Sequence, residues 1–345
     1  MAAERMEVKR IEDAALWDEF VSASPEGTLF STSGWVCMAA RAQGGVPVML
    51  GVFDDGRLVA GAAYVEVSRG PLRKASSPVL TPYCGFLFRP FHGKRRSEEE
   101  SFRHAGAAPL VGYLSGRYGH VYLVHTPGVL DMRPFIWNGY TATVRYTYIL
   151  DITDPDRLWD LMEHRVRTVI RNAGGSLTVE TPFTTEVFGG LYEHVYLDRG
   201  NEPPVRRGTV VRMVKDVLDA GAGELRVVKD ADGAPLCAGV FVRDARMVYA
   251  WVSGAIPSKN SSGAMTLLFW DTVCRYRGSH AALDMAGANL PSVAFFKKGF
   301  GGSLVHYFVT ERYASFLTRT VFSLLPRVYH RMREPLFSRI HKVLS

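Results

Sequence analysis

A β-hairpin pattern that occurs twice constrains the fold of this chain more than any other feature. One copy reads MLGVFDDGRLVAGAAYV around Gly56, and the other reads LRVVKDADGAPLCAGVFV around Gly233. Each is an apolar strand, an acidic turn that ends in Asp-Gly, and a second strand that carries Leu-x-Ala-Gly. Asp-Gly between apolar runs predicts a hairpin because both residues tolerate positive φ. The two turns lie 177 residues apart, about half of the 345-residue chain, which favours tandem copies of one fold.

The segments around the two hairpins mix helical and strand patterns. Apolar residues spaced three and four apart predict helices such as 263–277, whereas residues 140–152 alternate as a strand does. We predict an α/β (α+β) fold of two tandem domains, each with a mixed, mostly antiparallel sheet flanked by helices. The predicted parts of the chain are an N-terminal domain over 1–150, a C-terminal domain over 151–311 and a basic helical tail over 312–345.

Three local predictions rest on composition and periodicity alone. Residues 71–90 are rich in Pro, Gly and Ser, which predicts a loop. Residues 158–173 follow a helical pattern, which predicts one helix. Residues 200–208 are predicted to form a loop before a helix over 209–220.

Composition and spacing argue against several classes of protein. The chain is 47% hydrophobic and 22% charged, which is ordinary for a packed globular protein. No apolar run reaches the ~18–20 residues of a membrane-spanning helix, and the charged N-terminus has no signal-like apolar segment, so we expect a cytoplasmic protein. The four cysteines lie far apart, which fits buried thiols rather than a disulfide framework or a zinc site, and we expect no metal. The motifs of P-loop, dinucleotide-binding, serine hydrolase and zinc protease sites are absent.

A turn before the predicted helix 263–277 has the placement of a phosphate-binding site. Residues 260–265 offer backbone N–H groups and small side chains where a strand ends and a helix begins. A plain helix N-cap is the alternative interpretation. The turn is similar in place to the Arg/Gln-x-x-Gly-x-Gly/Ala turn with which GCN5-related (GNAT) acyltransferases bind the pyrophosphate of acetyl-CoA. It has neither the leading Arg or Gln nor the last small residue.

The most specific motif is LDMAGANLPSVAFFKKGFGG, residues 283–302. An aspartate ends a strand, a Gly/Asn turn follows, and a short helix leads into Phe-Lys-x-Gly-Phe-Gly-Gly. Supporting segments are Ser-Gly-Trp35, Arg165-x-Arg-x-x-Ile-Arg171 and Tyr249-x-Trp-x-x-Gly254. With these segments the chain resembles, over residues 16–312, the Fem family of peptidoglycan aminoacyltransferases (FemX, FemA, FemB and the lipid II glycyltransferase-like group). The resemblance implies tandem GNAT domains, which agrees with the duplicated hairpin.

The resemblance also implies an activity and its catalytic residues. Fem proteins transfer an aminoacyl group from a charged tRNA to an amine, with no separate cofactor. The resemblance implies that Lys297, beside the backbone of Phe296, is the catalytic cation. A fixed ammonium suits this role because it stabilises the oxyanion that forms when an amine attacks an ester. A solvated helix end is the alternative for Lys297. Asp284 is the next candidate, as a proton acceptor or a contact to tRNA or amine, with a helix N-cap as the alternative.

The same resemblance suggests contacts to the substrates. Trp251, with Tyr249 on the same strand, falls where members of the family have an aromatic residue near the 3′-adenosine of the tRNA. A position in the hydrophobic core is the alternative. Arg206 or Arg207 approximates an arginine that contacts the diphosphate of the acceptor, with a rim charge as the alternative. Trp35 corresponds to a Gly-Trp position that a lysine follows in members using the muramyl-pentapeptide precursor. No lysine follows Trp35 here, so a peptidoglycan precursor and a secondary-metabolite amine are both open as acceptors.

The tail concentrates the positive charge of the chain. Of the net charge of +7, residues 312–345 carry +6, in a pattern whose apolar residues recur every three or four positions. The tail packs on the body, contacts the tRNA backbone or docks on anionic lipid, and these three interpretations stay open. The arginines assigned to tRNA binding are Arg319, Arg327, Arg331 and Arg339.

Three functions therefore compete. The first is an aminoacyl-tRNA-dependent aminoacyltransferase that acts on a cell-wall precursor or secondary metabolite. The second is an acyl-CoA-dependent N-acyltransferase of the same fold. The third is a non-catalytic protein that binds RNA or a membrane.

Overall fold

The computed structural model describes residues 6–70, 72–181, 184–198, 200–316, 318–320 and 322. Its strands share one mixed sheet, and its helices flank that sheet. The strands are β1 (Glu7–Arg10), β2 (Val46–Asp54), β3 (Arg57–Arg69), β4 (Leu72–Ser76), β5 (Phe86–Phe88), β6 (His120–Val124), β7 (Thr141–Asp151), β8 (Thr178–Glu180), β9 (Gly223–Lys229), β10 (Pro235–Arg243), β11 (Met247–Ala255), β12 (Ala282–Asp284) and β13 (Ser303–Tyr313). The α-helices are α1 (Ala14–Ala23), α2 (Ser33–Gln43), α3 (Arg96–Arg117), α4 (Arg133–Ile136), α5 (Pro155–Leu161), α6 (His164–Gly174), α7 (Thr185–Leu197), α8 (Arg207–Asp219), α9 (Ala264–Tyr276) and α10 (Pro291–Lys298).

The two halves of the sheet have the same arrangement of strands, in opposite order along the sheet. Along the sheet the strands lie in the order β1-β2-β3-β4-β6-β13-β7-β12-β11-β10-β9-β8, and β5 pairs with β3. The described neighbours pair antiparallel except β4 with β6 and β11 with β12, which are parallel. Each half of the chain therefore contributes an equivalent antiparallel run that ends in one parallel pair. The two runs meet at β13 and β7. The last described strand along the chain, β13, therefore lies in the centre of the sheet.

Both predicted hairpins form, with turns of different length. Asp55 and Gly56 make a two-residue turn between β2 and β3, with φ of 46° and 75°. This pair of positive φ angles matches the twist of the flanking strands. The second hairpin has a longer turn, in which the Asp230 carboxylate accepts hydrogen bonds from the backbone of Asp232 and Ala234. Gly233 takes the positive φ of 81° in this turn.

An aromatic cluster ties the two halves together. The Phe30 ring lies 4.8 Å from that of Tyr249, and Trp35 meets Trp251 edge-on at 5.0 Å. All four side chains are buried. Edge-to-face contacts of this kind stabilise packing beyond the apolar area they bury. The position of the first half against β11 is therefore fixed by tight packing.

Two local predictions were wrong in the structure. Residues 71–90 are not only a loop, because they contain β4, which pairs with β6, and β5, which pairs with β3. The predicted helix over 158–173 is two helices, α5 and α6, separated at Met162 and Glu163. In both places long-range pairing and packing outweigh the local pattern. β13 continues to Tyr313, two residues into the predicted tail, and residues 323–345 lie outside the described residues.

Within the described residues, no helix is both long and apolar enough to cross a membrane.

Candidate active site

Asp284 ends β12 and is almost completely buried. Its Oδ2 accepts a 2.8 Å hydrogen bond from the Tyr83 hydroxyl, and its Oδ1 accepts bonds from the Thr147 hydroxyl at 2.6 Å and from Ala286 N at 2.8 Å. Burial raises the pKa of this carboxyl, while the three donors and the nearby Lys297 ammonium act in the opposite direction. A carboxyl held in this way is suited to exchange a proton.

Lys297 lies in the last turn of α10, and its side chain folds into the protein with only 8% exposure. Its Nζ donates to the backbone oxygens of Met285, Ala286 and Gly287, at 2.9 Å for Ala286 and 2.7 Å for Gly287. An ammonium has three N–H donors, so the three carbonyls satisfy it completely. Burial lowers the pKa of Lys297 to about 8, although the charge of Asp284 partly offsets this effect.

The turn after β12 has the backbone shape that this contact requires. Ala286 and Gly287 have φ of 53° and 77°, which is unusual for the alanine. The left-handed conformation curls the chain so that three successive carbonyls point at one Nζ. The ammonium is consequently fixed in place before any substrate binds.

A cleft opens where β11 and β12 separate. The two strands pair only from Met247 with Ala282 to Tyr249 with Asp284, whereas β11 continues to Ala255. A register shift interrupts the pairing of β11 with β10 beside this cleft: Val240 pairs with Val252 and Phe241 with Ala250, so Trp251 is an extra, bulged residue. The resulting cavity has a volume of about 470 Å³.

Lys297, Phe296 and Trp251 line this cleft together. The structure thus brings three of the predicted site residues to one place. Asp284 faces a smaller cavity of about 170 Å³ with Tyr83 and Tyr249. Of the three residues predicted as catalytic, Lys297 and Phe296 line the larger cleft, whereas Asp284 lies on the other cavity. The short turn that follows Asp284 joins the two places.

The aromatic residues predicted to bind substrate are largely packed in the core. Trp251 is 6% exposed, and its indole N–H donates to the carbonyl of Leu80. Trp35 donates from its indole N–H to Thr81 Oγ1 at 2.9 Å. Tyr249 is buried and donates to Asp244 Oδ2 at 2.9 Å. Of the three, Trp251 is among the residues that line the cleft.

The predicted arginines lie away from the cleft. Arg206 and Arg207 are exposed at the start of α8, where Arg207 donates to the carbonyl of Glu186 at 3.0 Å. Neither is among the residues lining the cleft. Arg319 is exposed beside Phe316, next to the end of β13. The other predicted tail arginines, Arg327, Arg331 and Arg339, lie outside the described residues.

Sequence reasoning missed the two side chains that hold Asp284. Tyr83 lies in the segment predicted as a loop, 201 positions from Asp284, and Thr147 lies on β7. No motif in the sequence joins these positions to the aspartate. Among the described residues, no group of three or more His, Cys, Asp or Glu side chains is placed to hold a metal ion.

Residues 142–297 match the family model described as Acetyltransferase (GNAT) domain. This part of the chain is a GNAT acyltransferase domain. Asp284, Trp251 and Lys297 all fall within it, and Lys297 is its last matched residue. The protein is therefore an acyltransferase, as predicted. In the comparison with curated proteins, no sequence matches this chain.

Solved structures extend the likeness to nearly the whole chain. A crystal structure of FemX is 14% identical and covers 88% of this chain and 97% of its own, with a TM-score of 0.67. A conserved protein of unknown function from Bacteroides thetaiotaomicron VPI-5482 is 12% identical over 89% of this chain and 99% of its own, with a TM-score of 0.54. The C-terminal domain of a putative lysylphosphatidylglycerol synthetase from Agrobacterium fabrum is 12% identical over 91% and 96%, with a TM-score of 0.53. At these identities the likeness is one of fold, and it confirms the predicted GNAT-like architecture and its resemblance to FemX.

Proposed function

We propose that this acyltransferase takes an aminoacyl group from a charged tRNA and joins it to an amine as an amide. The observation that carries the proposal is Lys297, an ammonium fixed by three carbonyls at a cleft between parting strands. The fold similarity to FemX supports a Fem-like donor. The resemblance of residues 283–302 to the Fem motif supports it independently.

The proposed chemistry uses the charge of Lys297. The acceptor nitrogen attacks the ester carbonyl, a C–N bond forms, the C–O bond to the tRNA breaks, and one amine proton ends on the released oxygen. Negative charge develops on the carbonyl oxygen, and the positive charge of the fixed Lys297 ammonium stabilises it. A preorganised cation of this kind stabilises the transition state by about 3 kcal/mol. Asp284, which lines the smaller cavity, is the proposed proton acceptor for an amine that enters from that cavity.

The start of α9 favours tRNA over CoA as the carrier. Met265 occupies the place of the small residue in the GNAT pyrophosphate turn, and it lines the cleft. Gly263 packs against α6, so closely that a Cβ there would lie 2.6 Å from Val169 Cγ1. The turn therefore lacks the last small residue of the pyrophosphate motif and is packed on its α6 side.

The acceptor in this proposal is the amine of a cell-wall precursor or of a secondary metabolite. The reaction is placed in the cytoplasm, where charged tRNA is available. The basic tail is proposed to contact the tRNA backbone, with anionic membrane as the other surface it suits.

A second candidate is an acyl-CoA-dependent N-acyltransferase. The match of residues 142–297 to an acetyltransferase domain favours it, because that description names an acetyl group. This candidate uses the same cleft and the same Lys297.

One experiment separates the candidates. The protein is incubated with candidate amines and either a mixture of charged tRNAs or a mixture of acyl-CoAs, with and without ribonuclease. Amide formation from charged tRNA that ribonuclease abolishes supports the proposal. Product from acyl-CoA that is indifferent to ribonuclease supports the second candidate. Lys297→Met, which should lower either activity about 100-fold or more, controls for contaminating enzymes.

A further inference from the structure

The inner end of the cleft is lined by apolar side chains. Val240, Phe241, Leu268 and Met285 are buried there, next to Lys297. Few polar side chains line the cleft in the part of the chain that the structure describes. They are Lys297, the indole of Trp251, and the hydroxyls of Tyr192, Tyr196 and Ser253. The group of the donor that enters this end therefore meets hydrocarbon on most sides.

The single ammonium at this end disfavours charge on the incoming group. A positive charge on the side chain or tail that enters this end would be repelled by Lys297 in surroundings of low dielectric constant. A carboxylate there would pair with Lys297 and neutralise the cation that the reaction needs. An uncharged side chain or tail avoids both effects.

The size of the cleft favours more than a two-carbon acyl group. An acetyl or glycyl group has a single carbon beyond its carbonyl, so it contacts few of the apolar side chains that line the cleft. Gly239 lets Phe241 and Leu268 pack closely at the inner end, because a Cβ at this position would lie 3.1 Å from the Phe241 ring and 3.2 Å from Leu268. Filling an apolar pocket changes specificity by about tenfold or more for each methylene.

We propose that the acyl group transferred by this protein carries an uncharged, apolar side chain or tail and is larger than acetyl or glycyl. The inference depends on one part of the proposed function, namely that the acyl group binds in the Lys297 cleft. It holds for a tRNA carrier and a CoA carrier alike, because the lining beside Lys297 is the same for both.

Binding of simple amides tests the cleft without any carrier. Isocaproamide, acetamide and ε-aminocaproamide represent an apolar, a small and a cationic acyl group, and calorimetry measures their dissociation constants on the full chain. We expect isocaproamide to bind at least tenfold more tightly than either of the others. Equal binding, or a preference for acetamide or ε-aminocaproamide, overturns the inference.

Transfer assays separate this inference from the choice of carrier. Leucyl-, glycyl- and lysyl-tRNA are compared with isocaproyl-, acetyl- and ε-aminocaproyl-CoA. A preference for the leucyl or isocaproyl donor within the productive set supports the inference, even where the CoA set is productive and the tRNA proposal fails. A preference for glycyl, acetyl or cationic donors overturns it, even where tRNA is the carrier.

A charge variant tests whether this cleft sets the preference. Ser253 is exposed at the cleft, so Ser253→Asp adds a carboxylate without burying one. We expect the affinity of ε-aminocaproamide relative to isocaproamide to rise about tenfold. The matched control is Ser68→Asp, on an exposed position of β3 away from the cleft, which should leave the ratio unchanged. An unchanged ratio in Ser253→Asp, or an equal rise in both variants, overturns the assignment to this cleft.

Discussion

The Tyr83 hydroxyl donates a 2.8 Å hydrogen bond to Asp284 Oδ2, so a residue of the first half holds the carboxyl that ends β12 in the acyltransferase domain. Both side chains are buried, and burial raises the pKa of each. The first half of the chain is therefore part of the environment that sets the pKa of the Asp284 carboxyl.

Tyr83→Phe tests this relationship through the pH dependence of activity. The hydrogen bond favours the carboxylate, so its loss should raise the pKa of Asp284 further. If Asp284 accepts a proton as a carboxylate, the acidic limb of the kcat profile moves up by about one pH unit. The measurement is kcat against pH, with the amine acceptor at saturation.

Two further variants support that test. Thr147→Val removes another donor to Asp284 and should shift the limb in the same direction. Tyr64→Phe breaks a 3.0 Å contact with Tyr118 in the first half and should lower stability without shifting the limb. An unshifted limb in both Tyr83→Phe and Thr147→Val would assign Asp284 a purely structural role.

Adjacent lysines allow a matched test of the proposed cation. Lys297→Met keeps most of the side-chain length and removes the charge, so kcat should fall about 100-fold or more. Lys298 is half exposed and lies 3.8 Å from Glu163, so Lys298→Met should change kcat far less. Circular dichroism and thermal unfolding confirm that both variants are folded. Equal and mild losses in the two variants would argue against a catalytic Lys297.

If Lys297 is the catalytic cation, its lowered pKa predicts an alkaline limit of activity. Burial lowers it to about 8, so the ammonium loses its proton above that pH and oxyanion stabilisation is lost. We expect kcat to decline above pH 8 when hydroxylamine, which is already neutral at pH 7, is the nucleophile. The residual activity of Lys297→Met should lack this decline. Wild-type activity that stays constant well above pH 8 contradicts the assignment.

The tail can be tested through the salt dependence of tRNA binding. Replacing Arg319, Arg327, Arg331 and Arg339 with Gln removes four charges and leaves the apolar residues in place. If the tail contacts phosphates, the slope of log Kd against log salt should flatten by up to ~0.7–0.9 for each contact. The melting temperature should hold.

The control replaces four exposed arginines elsewhere, namely Arg57, Arg95, Arg212 and Arg277. It matches the change in net charge and should leave the slope nearly unchanged. Loss of binding to anionic vesicles alone would assign the tail to a membrane, and no change in either property would assign it to packing.

Two glycines should respond to alanine with opposite signs. Gly56 has φ of 75° in the first hairpin, so Gly56→Ala should lower the free energy of unfolding by about 1 kcal/mol. Gly112 is exposed inside α3 with open space at its Cβ, so Gly112→Ala should raise it by about 1 kcal/mol. Urea unfolding measures both. A loss of stability in Gly112→Ala would contradict the local argument.

The sequence alone determined the features that depend on near neighbours. Asp55-Gly56 and Asp230–Gly233 predict their hairpins because Asp and Gly tolerate the backbone angles that such turns need. The helix that carries Lys297 follows from periodicity, and the resemblance of residues 283–302 led to the acyltransferase prediction that the family match supports.

Only the tertiary structure decided which distant segments meet. β4 and β5 form in a Pro- and Gly-rich segment because β6 and β3 offer them partners, and β13 enters the centre of the sheet between β6 and β7. The bond from Tyr83 to Asp284 and the three carbonyls around Lys297 exist only after that assembly. The physical reason is that a turn or helix is specified by residues a few positions apart, whereas a strand pair or buried polar contact depends on which surfaces the whole chain brings together.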